Sequence, residues 1–427
     1  MIKIYRDALS DGDILNREIN DYPREYEETV REILSAVREG GDEAIIAYGE
    51  RFDRVKLSSL QVTAEEIRQA MERVPKEFLD TLRMAKENIS YFHTAQKRDG
   101  FELKKEDGIV LGQKFTPISR VGIYVPGGTA SYPSTVLMNA IPAKIAGVSE
   151  IVMVTPPSKE GKIKDEILAA AHLAGVDRIF KCGGAQAIAA LAYGTESVPR
   201  VDKIVGPGNI FVAIAKRMVF GIVGIDMIAG PSEILVVADG SADPRFVAAD
   251  LLSQAEHDKL ASAVLVTDSL SLAEAVQTEL EQQLSRLPRE EIARISIETN
   301  GKIILVDSIA DAIEISNRIA PEHLELCLKD PFAVLDSVRN AGSIFLGRYT
   351  PESLGDYLAG PNHTLPTSGS ARFSSPLSVD DFVKKSSYLY YPRESLAKVG
   401  GRVADFAERE GLSAHARAAL IRYTEDF

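Results

Sequence analysis

Apolar positions in residues 25–38, 42–52, 64–72 and 75–97 recur every three or four residues between charged ones, which predicts a run of amphipathic helices. From about residue 118 the pattern changes. Val- and Ile-rich runs at 120–125, 150–155, 177–181 and 202–205 predict strands, and 134–146, 165–173, 185–193 and 209–219 predict the helices between them. A second set follows, with strands at 233–238, 262–267, 302–306 and 343–346 and helices at 244–260, 271–285, 310–319 and 331–340. Such alternation implies parallel sheets with helices on their faces. The expected fold class is α/β: two tandem parallel-sheet units, an N-terminal helical segment and a small C-terminal helical tail at about 395–425. Between 348 and 376, Gly, Pro, Ser and Thr crowd into a stretch longer than an ordinary connection, and such loops commonly carry function.

Composition narrows the class without naming an activity. A chain of 427 residues exceeds one core, and 45% hydrophobic with 26% charged residues is ordinary for a globular protein. The net charge of −13, with no Lys/Arg cluster, argues against a nucleic-acid polymer as partner. No apolar run is long enough to span a bilayer, and the N-terminus lacks the pattern of a signal peptide. Two cysteines, Cys182 and Cys327, suggest no disulfide framework, so a reducing cytoplasm is the expected home.

Chemistry-bearing residues gather in four places. On the helix expected over 244–260, Gln254 and His257 are three apart and share a face, offering an amide oxygen and an imidazole nitrogen. Glu322 and His323 are neighbours at an expected helix end, a pairing suited to a general base and a proton shuttle. The long loop carries Asp356 and His363 among glycines and prolines, and the tail carries Glu410 and His415. The other two histidines, His93 and His172, lie in plain helices and read as packing. Together Gln254, His257, Asp356 and His415 would make a mixed nitrogen/oxygen set, which fits a catalytic zinc better than a structural one, with manganese or cobalt also acceptable. No complete Gly-x-Gly-x-x-Gly follows a strand and no P-loop is present. Turns at Gly127-Gly128, Gly183-Gly184 and Gly206-Pro207-Gly208-Asn209 place helix N-termini where a phosphate can bind, but such turns occur in any α/β fold.

These stretches, with Val121 to Gly128, Gln186, Ala229 to Glu233, Gln254 to His257, Pro321-Glu322-His323, Gly355 to Thr367 and Glu410 to His415, resemble the histidinol dehydrogenases over nearly the whole chain and in order. The resemblance implies oxidation of L-histidinol to L-histidine via L-histidinal with two NAD, on two incomplete Rossmann-like sheets in a homodimer whose C-terminal tail serves the partner's site. It implies one zinc ion held by Gln254, His257, Asp356 and His415, with Glu322 and His323 as the acid/base pair. NAD contacts would come from Tyr124, Gln186 and Asn209. Substrate contacts would come from Ser232, His363 and Glu410 and from Gln254, His257, His323, Asp356 and His415. The chain would then divide into an N-terminal helical arm (1–21), a discontinuous α/β domain (22–123 with 234–377), an NAD-binding α/β domain (124–233) and a tail (378–427). Two rivals remain at this level: a dehydrogenase of another amino or hydroxy alcohol on the same scaffold, and a zinc hydrolase with Glu322 as base. Cys327, four residues from His323 on the expected helix, raises a thiohemiacetal route, though nothing around it suggests a lowered thiol pKa.

Overall fold

The structure, a computed structural model, describes residues 2–6, 24–127 and 131–423. Its strands in chain order are β1 (Lys3–Tyr5), β2 (Phe101–Lys104), β3 (Val110–Pro117), β4 (Arg120–Tyr124), β5 (Glu150–Thr155), β6 (Arg178–Lys181) and β7 (Lys203–Val205). They continue as β8 (Gly224–Ile225), β9 (Glu233–Ala238), β10 (Ser262–Thr267), β11 (Lys302–Leu305), β12 (His323–Cys327), β13 (Ser343–Leu346) and β14 (Val383–Tyr390). The chain forms two compact units, residues 1–96 with 118–382 and residues 97–117 with 383–427.

The first unit holds two wholly parallel sheets, one ordered β1-β11-β10-β9-β12-β13 and the other β6-β5-β4-β7-β8. Their strands are nearly continuous apolar runs because helices cover both faces. In the six-stranded sheet Ile234, Val236 and Leu265 pack on the Pro244–Ala255 and Leu270–Leu284 helices, while Leu235, Val237 and Val264 pack on Ile309–Ile319. In the five-stranded sheet Val121, Ile123 and Ile151 face Leu137, Leu82 and Ile89, and Val152, Val154 and Phe180 face Val30, Ile33 and Ile188. Residues 24–94 are thus built onto the five-stranded sheet.

Several elements depart from the sequence pattern. The Pro244 helix ends at Ala255, short of residue 260, because Asp258 accepts the Leu260 N–H and Gln254 C=O accepts the His257 N–H, closing a turn instead of another helical rung. Gln254 therefore lies on the last helical turn and His257 just beyond it. Glu322 and His323 are not at a helix end: Ala320, at φ 52°, stops the preceding helix, and His323 opens strand β12 in the middle of the sheet. Cys327 is consequently a strand residue, not one helical turn from His323. The helix expected over 331–340 shrinks to Phe332–Leu335, an unexpected helix spans Glu290–Thr299, and another, Glu352–Tyr357, interrupts the long loop. Of the expected N-terminal arm, Lys3–Tyr5 is a strand, and residues 7–21 lie outside the described residues.

The second unit pairs β3 antiparallel with both β14 and β2, and its helices Arg393–Arg409 and Ser413–Leu420 meet through Ala404, Ala407 and Ala416. No described helix is long and apolar enough to cross a membrane.

One buried ion pair braces the first unit. Lys216 and Asp226 are paired with side chains 3% and 1% exposed, so neither is solvated. The Lys216 ammonium also donates to the Gly206 carbonyl at 2.9 Å, and Asp226 accepts the Gly206 N–H at 2.8 Å. Gly206 needs this clamp: its φ is 111°, and a Cβ there would lie 2.2 Å from the Tyr124 carbonyl oxygen. Replacing Lys216→Met strands a buried carboxylate and should cost about 3–5 kcal/mol, and adding Asp226→Leu should recover part of it. Denaturant titrations followed by far-ultraviolet circular dichroism check both.

Candidate active site

Strand pairing assembles the site. β12 lies beside β9 with His323 opposite Ile234, which puts the imidazole against the Glu233 main chain. Nδ1 of His323 donates to the Glu233 carbonyl at 2.9 Å, so the neutral ring carries its lone pair on Nε2. The Glu233 N–H, on the same residue, donates to Oε2 of Glu322 at 2.8 Å. The Glu233 carboxylate in turn accepts the Ser368 N–H at 3.0 Å, tying the long loop to the strand. Burial holds the His323 imidazole below its ordinary range and pushes the Glu322 carboxyl well above the usual carboxylate range.

Nε2 of His323 is buried and has no hydrogen-bond partner. Facing it at 3.9 Å each are Oε1 of Glu352 and Oδ1 of Asp356, one turn apart on the same short helix. The Glu352 N–H donates to Oε1 of Glu325 at 2.7 Å, and its Oε2 accepts the Ser253 hydroxyl at 3.0 Å. Burial, reinforced by Asp356, pushes Glu352 up to about 7, and burial pushes Asp356 up to about 6. Behind them the half-buried Asp250 and the buried Glu325 form a second carboxyl pair, both raised by burial, Glu325 also by the neighbouring Asp250.

A divalent cation fits this donor set. His323, Glu352 and Asp356 present ligand atoms within 4.8 Å of one another, and Oε1 of Gln254 is buried without a hydrogen-bond partner. Crowded carboxyls with raised pKa values are what a cation would relieve. His257 is exposed, yet close enough that its charge would depress both His323 and His363. His363 donates from Nδ1 to the Asp356 carbonyl at 3.0 Å and faces the Thr135 hydroxyl at 3.4 Å through Nε2, and burial lowers it to about 4.

Around the five-stranded sheet lies a cavity of about 860 Å³, lined among others by Tyr124, Gln186 and Asn209, the three residues expected to contact NAD. It opens at the carboxyl ends of β4 to β7, the usual ligand edge of a parallel sheet. The Tyr124 hydroxyl accepts the Gly184 N–H at 3.1 Å, and burial pushes it up to about 12. The Asn209 side-chain oxygen caps the Ile210–Val219 helix by accepting the Val212 N–H.

The expected site residues thus fall into separate groups. Glu322, His323, Asp356 and His363 share one buried neighbourhood with Gln254 and His257 at its edge, and Ser232 directly precedes β9. Tyr124, Gln186 and Asn209 share the cavity. Glu410 and His415 are exposed in the second unit, at the end of one helix and within the next. Cys327 is buried, and burial with Glu325 pushes its thiol up, so it is no thiolate nucleophile. Glu233, Glu325 and Glu352 were not anticipated. For Glu352 a signal existed, since it precedes Asp356 by four residues and would share its face on any helix.

The sequence pattern of the family described as histidinol dehydrogenase matches residues 16–423. The chain is 57% identical over 422 residues to the histidinol dehydrogenase of Bacillus cereus, covering 99% of this chain and 98% of that one. It is 55% identical over 427 residues to that of Clostridium acetobutylicum, covering 99% of both. The crystal structure of histidinol dehydrogenase from Elizabethkingia anophelis superposes with a TM-score of 0.94 at 39% identity, covering 99% of this chain and 98% of that one.

The raised Glu352 carboxyl has a measurable consequence in metal-free protein. Ionising it costs folded-state stability; the cost is absent below its ordinary 4.5 and complete above about 7. Glu352→Gln removes that cost, so it should gain on the parent as pH rises between those values, by roughly 3 kcal/mol, and hold the difference above them. Thermal unfolding of both proteins at acidic and mildly alkaline pH checks this.

Proposed function

Because this chain belongs to the histidinol dehydrogenase family, whose oxidoreductases act on histidinol in histidine biosynthesis, we propose that it converts L-histidinol to L-histidine through L-histidinal, with two NAD and one zinc ion per subunit, as a cytoplasmic homodimer. The observation that carries this reading is the His323 ring, clamped through Nδ1 with a buried, unpartnered Nε2 aimed at a carboxylate-lined gap. That is the arrangement a general base for an alcohol requires. Nothing in the site favours another amino alcohol, and the family excludes the hydrolase.

Gln254, His257 and Asp356, with His415 of the partner subunit, would hold the zinc, which would supply an anchor for the substrate's imidazole and amine. Tyr124, Gln186 and Asn209 would hold NAD in the cavity they line, where it would supply the two-electron acceptor for each oxidation. His323 takes the hydroxyl proton on Nε2 in the first oxidation. Glu322 activates the water that adds to the aldehyde, its position set by the Glu233 N–H. Ser232 and His363 contact the substrate, and Glu410 joins His415 from the partner's tail, residues 378–427. Burial of His323 keeps it in the basic form below its ordinary range, as this role needs.

Histidinol should yield two NADH per molecule consumed, and stripping the metal with a chelator should abolish this until zinc is returned. Asp356→Ala should lose both metal and activity, and full turnover in the metal-free variant would overturn the ligand assignment. For the crossed tail, mixing His415→Ala chains with Glu322→Gln chains should restore activity that neither has alone, since one site of each hybrid is then intact. Absence of recovery in confirmed hybrid dimers would contradict the exchange.

A further inference from the structure

Glu352 has no part in the chemistry above, yet of the two carboxylates 3.9 Å from the reactive nitrogen it is the one with a buried oxygen that has no hydrogen-bond partner. Its carboxylate is 2% exposed, with Oε2 occupied by the Ser253 hydroxyl and Oε1 receiving no hydrogen bond at 3.9 Å from Nε2 of His323. Glu322 lies on the other side of the ring, nearest to Nδ1 at 3.6 Å, with Oε2 held by the Glu233 N–H. The gap beside Nε2 is therefore bordered by that nitrogen and Oε1 of Glu352, with Oδ1 of Asp356, assigned above to the metal, also 3.9 Å from Nε2, and no donor among the described residues fills it.

An alcohol brings a single hydroxyl proton to such a gap and satisfies one acceptor. The hydrate of an aldehyde carries two hydroxyls on one carbon, and each can reach one of two acceptors at this spacing with an ordinary bond of about 2.8 Å. We propose that Glu352 contacts the substrate in the second oxidation, accepting a hydrogen bond from the hydroxyl of the hydrated aldehyde that His323 does not deprotonate. This rests on the histidinol reading. The carbon-bound hydrogen of the hydrate leaves as hydride to the nicotinamide, the proton of one hydroxyl passes to His323, and the other hydroxyl, held by Glu352, becomes that of the carboxylic acid. Unpaired, that hydroxyl would be buried without an acceptor.

The test uses zinc-loaded enzyme and reads the two oxidations separately, with histidinol plus an aldehyde trap for the first and supplied histidinal for the second. Glu352→Leu should lower kcat/KM for histidinal by about a hundredfold and for histidinol by less than about tenfold. Glu352→Gln keeps an acceptor oxygen and should fall between the parent and Glu352→Leu on histidinal. Equal losses in both oxidations would overturn the proposal in favour of a positioning role through His323. Loss of zinc from Glu352→Gln would overturn it in favour of a metal ligand, and no loss in either variant would also overturn it. Failure of the parent enzyme itself to reduce NAD with histidinol would instead defeat the histidinol reading.

Discussion

Everything at the candidate site depends on one residue's backbone. Glu233 opens β9, and its carbonyl and N–H point to the neighbouring strand as any β residue's would. Here the carbonyl accepts a hydrogen bond from His323 Nδ1 and the N–H donates one to the carboxyl of Glu322. One residue's ladder geometry thus sets the tautomer of the His323 ring and the direction of the Glu322 carboxyl. Because β9 and β12 lie side by side within a sheet covered on both faces, neither group can shift without disturbing the sheet core.

The two parallel sheets present opposite edges to their chemistry. The cavity of the five-stranded sheet sits at the strand carboxyl ends, where helix N-termini and glycine turns converge. In the six-stranded sheet Glu322 and His323 sit at the amino end of β12, beside the start of β9. No pattern of glycines marks such an amino-end site, so it must be built from side chains. That explains why its donors come from four separate segments: the end of the Pro244 helix, β12, the Glu352 helix and the loop through His363.

What was legible in the chain follows the same division. Strands 233–238, 262–267 and 343–346 are continuous apolar runs and read directly as β9, β10 and β13. His-Leu-Glu-Leu-Cys was unreadable as a central strand, because its polar residues are partnered by groups far away in sequence. His323 bonds a carbonyl 90 residues away, and Glu325 bonds an N–H 27 residues away. Candidate residues could be picked out by type, Gln254, His257, Glu322, His323 and Asp356 among them, but not the geometry in which the fold sets them. The β2-β3-β14 sheet escaped notice because its strands are largely exposed and carry no apolar run, and the Glu290–Thr299 helix was passed over between two strong strands.

Asn209 and Tyr124 have each already used their accepting oxygen within the protein, Asn209 on the Val212 N–H and Tyr124 on the Gly184 N–H. Each still carries an unused donor beside the cavity, the Asn209 amide NH₂ and the Tyr124 O–H. At this end the cavity therefore has a polarity as well as a shape. It matches a guest rich in lone pairs, such as ribose or phosphate oxygens.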